Sequence, residues 1–347
     1  GTFSIGVRAS EAERVGGLRG RTSEILADAS LVPFAPGKIF MRLGPVPSNM
    51  PAEPDDPLAW ARDHTPVLAA LTEEYGESRP LDGLTVAVAS HLEAKTGVFI
   101  ETLWRAGAEV VFAPSEPRST HGDVVDFLDS KEGVEAFARE GMTDDEFEAA
   151  QHDLLGRGPD LIFDDGCELV AKVHADHPEV AAGVLGGAEQ TTAGIHRLEA
   201  MDAKGTLAFP VYGVNDTPMK HYFDNVHGTG ESALANVAIT TNAIVSGKTV
   251  VVVGYGYVGR GIARKARGLG AQTVVTEVDP RKALQAHMDG HRVTSMADAA
   301  AIGDLFVTAT GTAGVIREEH FRIMQDGATL CNAGHFDVEI DLDDLES

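Results

Sequence analysis

The run TVVVV at 249–253, followed by Gly254, Gly256 and Gly259, constrains this chain more than any other feature. A β-branched run without polar alternation reads as a strand buried on both faces. The GxGxxG after it opens onto GIARKARGLG, a helix ending in glycine. The first glycine permits the tight turn and the second lets a pyrophosphate approach the backbone. The third lets the helix pack on the strand, and the helix N-terminus faces the phosphates. A second strand, QTVVTEVDP, ends at Glu277, 23 positions after Gly254. An acid there accepts the ribose 2′-hydroxyl hydrogen bonds of NAD. Glu277 favours NAD over NADP, and Arg281 pulls mildly the other way. The competing reading is a glycine-rich turn that holds no ligand. Just upstream, VNDTPMKHYFDN sets Lys220, Asp224 and Asn225 where a lysine–aspartate pair would lie near the nicotinamide end.

The 347 residues suggest two domains, with a third conceivable from length alone. With 43% hydrophobic residues the chain can bury a full core. No apolar run approaches the length of a transmembrane helix, so no membrane partner is expected. Two cysteines, Cys167 and Cys331, make no disulfide framework and fit a reducing cytoplasm. The net charge of −25, with nine lysines against 53 acids, opposes nucleic-acid binding, which needs Lys and Arg at phosphates. Such a surface stays soluble by self-repulsion that salt screens, which suggests a salty cytoplasm. An acidic protein of an ordinary cytoplasm is the plainer alternative.

Residues 1–49 differ from the rest. They are rich in Gly, Arg and Ser and carry about +2, six basic against four acidic residues. A flexible extension, a targeting segment and upstream sequence joined at Met50 all compete, and the last fits best. We therefore assign 1–54 as an atypical, flexible N-terminal segment. From Asp56 strands alternate with helices, the pattern of a parallel α/β sheet. LAWARDHTPVLAALTEEYG reads as one helix with a proline near its middle, and MTDDEFEAAQHDLLGRG as a helix capped by threonine. The fold expected is two-domain α/β: a substrate domain over 55–222 with a parallel sheet, then a Rossmann NAD-binding domain over 223–347. The second has about five strands and looks short at its C-terminal edge. His174, His177, His287 and His291 read as surface histidines, and no metal is expected.

From about Trp60 to Leu345 the chain resembles the adenosylhomocysteinase (S-adenosylhomocysteine hydrolase) family. The matching blocks are HLEAKTGVFIETL (91–103), ST (119–120), DDGCEL (164–169), AEQTTAGIHRL (188–198) and VNDTPMKHYFDN. GYGYVGRG (254–261), TEVDPRKALQAHMDG (276–290), FVTATG (306–311) and NAGHFDVEID (332–341) follow in family order. HLEAKT resembles the archaeal type. The resemblance implies bound NAD, a small-molecule substrate, a homo-oligomer and hydrolysis of S-adenosylhomocysteine through transient oxidation of its ribose. It implies Lys220 as the base at the 3′-hydroxyl, Asp224 on the ribose hydroxyls, and His91 with Asp165 at the leaving sulfur and entering water. Glu93, Thr96 and Gln190 would join the substrate site. Thr191, Thr192 and Asn225 would touch the cofactor from upstream. Gly254, Gly256, Tyr257, Val258, Gly259, Glu277 and Lys282 would hold its adenosine and phosphates. Thr310, Gly311, Ala333, Gly334 and His335 would close over it.

Several positions depart from the family pattern. Gln190 stands where a glutamate usually accepts ribose hydroxyls, and charge-assisted bonds are roughly twice as strong as neutral ones. Gln190→Glu is therefore expected to raise activity if the glutamine weakens binding. Ala193 replaces a threonine, Lys282 an asparagine, and Thr229 a cysteine. Family members also continue past HFDVEID, returning a segment with a histidine and ending in a tail that reaches a neighbouring NAD. The chain is therefore expected to be either a shortened adenosylhomocysteinase or a non-catalytic NAD-binding partner subunit. A 2-hydroxyacid dehydrogenase would need an Arg and a His–Glu pair beyond the dinucleotide half, and would have no use for the FDN and GHFDVEID blocks.

Overall fold

A computed structural model describes residues 4–8, 30–33, 38–42, 56–334 and 338–346. The three short N-terminal pieces are strands β1 (Ser4–Arg8), β2 (Ser30–Pro33) and β3 (Lys38–Arg42), paired antiparallel in the order β1-β3-β2. The rest of the segment expected to be flexible lies outside the described residues.

Two parallel sheets build the remainder. The first contains β4 (Thr85–Ser90), β5 (Glu109–Pro114), β6 (Val134–Ala136), β7 (Leu161–Asp164), β8 (Gly186–Glu189) and β9 (Val211–Gly213). Its spatial order is β6-β5-β4-β7-β8-β9. The second contains β10 (Thr249–Val253), β11 (Gln272–Thr276), β12 (Arg292–Val293), β13 (Leu305–Thr308) and β14 (Thr329–Asn332), in the order β12-β11-β10-β13-β14. Each sheet starts in its middle, winds outward one way, then returns to wind the other way. In such sheets ligands bind at the carboxyl ends of the strands, where the order reverses. That point lies between β4 and β7 in one sheet and between β10 and β13 in the other.

The central strands are buried on both faces because successive side chains alternate. In β4, Val86 and Val88 join one apolar cluster while Ala87 and Ala89 join the other. In β10, Val250 and Val252 face one layer of helices while Val251 and Val253 face the opposite layer. All four valines are at most 4% exposed, and burying each stabilises the sheet by about 1.5–3 kcal/mol.

The helix Asp144–Leu155 opens on Thr143 in a reciprocal capping box with Glu146, as the threonine signal implies. The expected single helix around Pro66 is instead two, Ala59–His64 and Pro66–Ser78. Proline cannot donate to the preceding turn, and it forces Thr65 out of helical geometry (φ −122°, ψ 64°).

Candidate active site

His91 and Asp165 follow the two central strands of the first sheet, β4 and β7, so they meet across its reversal point. His91 Nε2 lies 3.6 Å from Asp165 Oδ2, and His91 Nδ1 lies 2.7 Å from Ser119 Oγ. Asp165 is 1% exposed. Its Oδ2 accepts from Gln190 Nε2 at 2.7 Å and from Ser115 Oγ at 3.2 Å. Gln190 Nε2 also reaches Ser90 Oγ at 3.3 Å. Glutamine at 190 is thus a neutral donor to a buried carboxylate.

Below this layer sits a pair of buried acids. Asp164 and Glu189 are register neighbours on β7 and β8. Glu189 accepts from the backbone N–H groups of Gly166, Cys167 and Thr191 and from Thr191 Oγ1. It thereby holds the left-handed turn at Gly166 (φ 94°) and Cys167 (φ 59°) that aims Asp165 at the site. Burial raises the Glu189 pKa. Burial, reinforced by the Glu189 charge, pushes Asp164 up to about 7. Burial also pushes the Cys167 thiol up to about 12, so this cysteine packs as a protonated apolar group.

The second cluster is joined to the first by the segment 190–192. Thr191 caps the helix Thr192–Ala203 by accepting from Gly194 N. Thr192 Oγ1 accepts from Asn215 Nδ2 at 3.1 Å. Asn215, 3% exposed, turns its other amide atom to Lys220, with Nζ to Oδ1 at 3.0 Å. Lys220 Nζ is also 3.3 Å from Asp224 Oδ2. Lys220–Thr229 winds as a π-helix that runs directly into the α-helix Gly230–Thr241. Its i→i+5 hydrogen bonding brings positions 220, 224 and 225 to one side, which ordinary α-winding would not do for the pair 220 and 225.

The dinucleotide turn lies at the reversal point of the second sheet. Gly254 has φ +96°, and a Cβ on it would meet Ala309 O at 2.7 Å. A Cβ on Gly259 would meet Gly254 O at 2.0 Å, whereas one on Gly256 would meet nothing within 4 Å. Space is therefore left open beside Gly256 alone of the three. Tyr257 and Val258 start the helix Tyr257–Gly268 just beyond it. Glu277 is fixed by backbone N–H donors at Tyr255 (2.8 Å), Val278 (2.7 Å) and Asp279 (2.9 Å). Beside the Gly254 turn, buried Glu339 accepts from Thr310 N and Oγ1 and from Gly311 N. Glu339 Oε1 fills the space where a Cβ on Gly334 would sit, only 1.7 Å away, so Gly334 lies directly on that brace. Ala333 N donates to Thr308 O.

A family model described as "S-adenosyl-L-homocysteine hydrolase" matches residues 55–182, and one described as its "NAD binding domain" matches 225–347. The chain is 51% identical over 286 residues to the adenosylhomocysteinase of Halobacterium salinarum, covering 82% of this chain and 67% of that one. This chain belongs to the S-adenosyl-L-homocysteine hydrolase family. It is also 49% identical over 290 residues to the S-inosyl-L-homocysteine hydrolase of Methanosarcina mazei, covering 84% and 71%. To the enzyme of that name from Methanopyrus kandleri it is 52% identical over 291 residues, covering 84% and 68%.

As in the rest of this hydrolase family, the cofactor is NAD. The residues present fit it. The open side of Gly256 suits a pyrophosphate, and fixed Glu277 suits a ribose diol. Asn225 Oδ1 is buried with no hydrogen-bond partner among the described residues, an acceptor left for a carboxamide. Arg281, the signal that favoured NADP, is held by Asp279, with Nη2 to Oδ2 at 3.0 Å.

Glu93 caps the helix Ala94–Arg105, its carboxylate accepting from the Thr96 backbone N–H at 3.3 Å; the two residues lie two and five positions after His91. Lys282 is exposed on the helix Pro280–Met288. His335 lies outside the described residues. Asn215, Glu189, Glu339 and the serines at 90, 115 and 119 were missed. All fall in or beside matching blocks, but only their partners in space give them a task. His291 is a correction: it is 4% exposed, not on the surface, with Nδ1 2.6 Å from Thr273 Oγ1 and its ring beside Tyr255. Burial lowers its pKa, because the loop from the helix Pro280–Met288 into β12 folds it inward. Among the described residues no group of three or more His, Cys, Asp or Glu could hold a metal ion, and no helix is long and apolar enough to cross a membrane.

Proposed function

We propose that the chain catalyses reversible hydrolysis of S-adenosyl-L-homocysteine to adenosine and L-homocysteine. The carrying observation is the Asn215–Lys220–Asp224 set, in which Asn215 on the turn Val214–Asp216 meets Lys220 and Asp224 on the helix that leads into the dinucleotide domain, tied through Thr192 to the segment bearing Gln190. NAD supplies hydride acceptance from, and return to, the 3′-carbon of the substrate ribose. Lys220 receives the 3′-hydroxyl proton, and Asp224 orients the hydroxyl. Asn215 keeps the ammonium form of Lys220 directed at the site when the proton is on it. Oxidation at C3′ acidifies the C4′ hydrogen, whose loss releases homocysteine from C5′. His91 and Asp165 then serve the departing sulfur and the entering water, since a histidine and a buried carboxylate 3.6 Å apart can pass a proton between them. Gln190 anchors Asp165 and offers its carbonyl to the ribose.

The relatives carry the names of both adenosyl and inosyl enzymes, so the substrate class is an S-purinenucleosyl homocysteine. We infer that adenine is the base of the substrate nucleoside, that the enzyme works as a cytoplasmic homo-oligomer, and that its acidic surface favours molar salt. The test is exchange in D2O. Adenosine incubated with the NAD-loaded protein should exchange its C4′ hydrogen for deuterium, read by NMR, and inosine should exchange more slowly. Thiol release from S-adenosylhomocysteine without C4′ exchange would refute the oxidative route. Absence of both would favour the partner-subunit reading, to which Gln190 lends support.

A further inference from the structure

The helix carrying Lys220, Asp224 and Asn225 touches the phosphate-binding helix at two separate places. At their crossing, a Cβ on Gly261 would lie 2.1 Å from Val226 O, and one on Gly230 would lie 2.7 Å from Gly261 C. The two backbones are therefore in contact, with no room for a methyl group. Nearer the site, the rings of His221 and Tyr257 stack with centroids 4.3 Å apart and planes 6° apart. The Tyr222 ring lies 5.7 Å from that of Tyr257, and Arg260 Cζ lies 5.5 Å from the Tyr257 ring centre. Tyr257 is the first residue of its helix, immediately after open-sided Gly256. His221 immediately follows Lys220.

We propose that the His221–Tyr257 stack is a positioning clasp that makes the placement of Lys220 and Asp224 depend on whether the phosphate-binding turn is filled. A pyrophosphate on the N–H groups of this turn orders residue 257. The ring contact passes that order to residue 221, one position from the lysine. The glycine crossing acts as the fulcrum, holding the same helix further along, at Val226 and Gly230. Linkage requires the reverse as well: whatever steadies the 220–224 segment strengthens dinucleotide binding by the same factor. The consequence for turnover rests on Lys220 acting at the ribose, but the coupling itself does not.

Two measurements on the full chain test it without turnover. Calorimetric titration with NAD+ should show His221→Ala and Tyr257→Ala each weakening binding roughly two- to tenfold, the worth of an aromatic pair. The double variant should be no weaker than the weaker single one, and Tyr257→Phe should restore affinity. Hydrogen exchange over 218–229 should slow on adding NAD+ in the parent protein and in Tyr257→Phe, but not in Tyr257→Ala. Additive losses in the double variant would overturn the proposal. So would NAD-dependent slowing that survives Tyr257→Ala, or a Tyr257→Ala protein that is merely less thermostable while binding NAD+ normally. Failure of the Lys220 reading would leave all of these outcomes unchanged.

Discussion

Lys220 Nζ stands 3.3 Å from Asp224 Oδ2, one π-helical turn along the same helix, and 3.0 Å from the buried amide oxygen of Asn215. A lysine nitrogen held from two sides needs little reorganisation to take up a proton as the amine or return it as the ammonium. Lys220→Ala should therefore lower turnover by about 10²–10⁴-fold, the worth of a positioned acid–base group. The variant should still bind NAD+ in a calorimetric titration, because the phosphate turn does not involve this side chain, with only the modest weakening that a less ordered 220–224 segment passes through the ring contact. Near-parental turnover would refute the role.

Gly256 and Gly261 separate binding from packing. A Cβ on Gly256 meets nothing within 4 Å and its φ of −72° suits any residue, so Gly256→Ala should leave the unfolding temperature unchanged while sharply weakening NAD+. A Cβ on Gly261 would meet Val226 O at 2.1 Å, so Gly261→Ala should cost about 1–3 kcal/mol of stability. Thermal unfolding beside NAD+ titration reads both. Equal loss of stability in the two variants would contradict the geometry.

The sign of the Asp164 effect on stability is fixed. Its ordinary value is 3.8, and in the folded protein burial and Glu189 push it up to about 7. Between roughly pH 4 and pH 7 the folded state holds more protons here than the unfolded state, so stability falls as pH rises through that window. Asp164→Asn should remove this component. Denaturant melts across that range should show the parental curve declining by a few kcal/mol more than the variant's. Parallel curves would show that Asp164 ionises normally.

Gln190→Glu would set a second carboxylate against Asp165, in place of an amide 2.7 Å from it. Two acids at that distance share a proton. The gain expected from a charged acceptor for ribose hydroxyls should therefore appear only at alkaline pH, and the acid limb of the activity profile should move upward. A uniform gain at every pH would show that residue 190 does not govern Asp165.

The sequence made the two parallel sheets readable because their central strands are uniform apolar runs, and strand-ending residues such as His91, Asp165 and Gly254 were readable from local blocks. What stayed hidden was set by partners distant in the chain. Glu339 bonds Thr310 across 29 positions, and Glu189 reaches Gly166 across 23. Asn215 gained its task only through the fold of the chain between Thr192 and Lys220. The π-winding has no periodic signature over ten residues. The split at Pro66 was signalled, but its severity depended on the backbone angles of Thr65.

The most direct measurement is thiol release from S-adenosylhomocysteine by the folded chain with NAD+ supplied, in molar KCl and in low salt, beside Lys220→Ala. The account predicts homocysteine from the parental protein, dependent on NAD+ and strongest in salt, and almost none from the variant. No thiol in either buffer from folded, NAD-bound protein would contradict it.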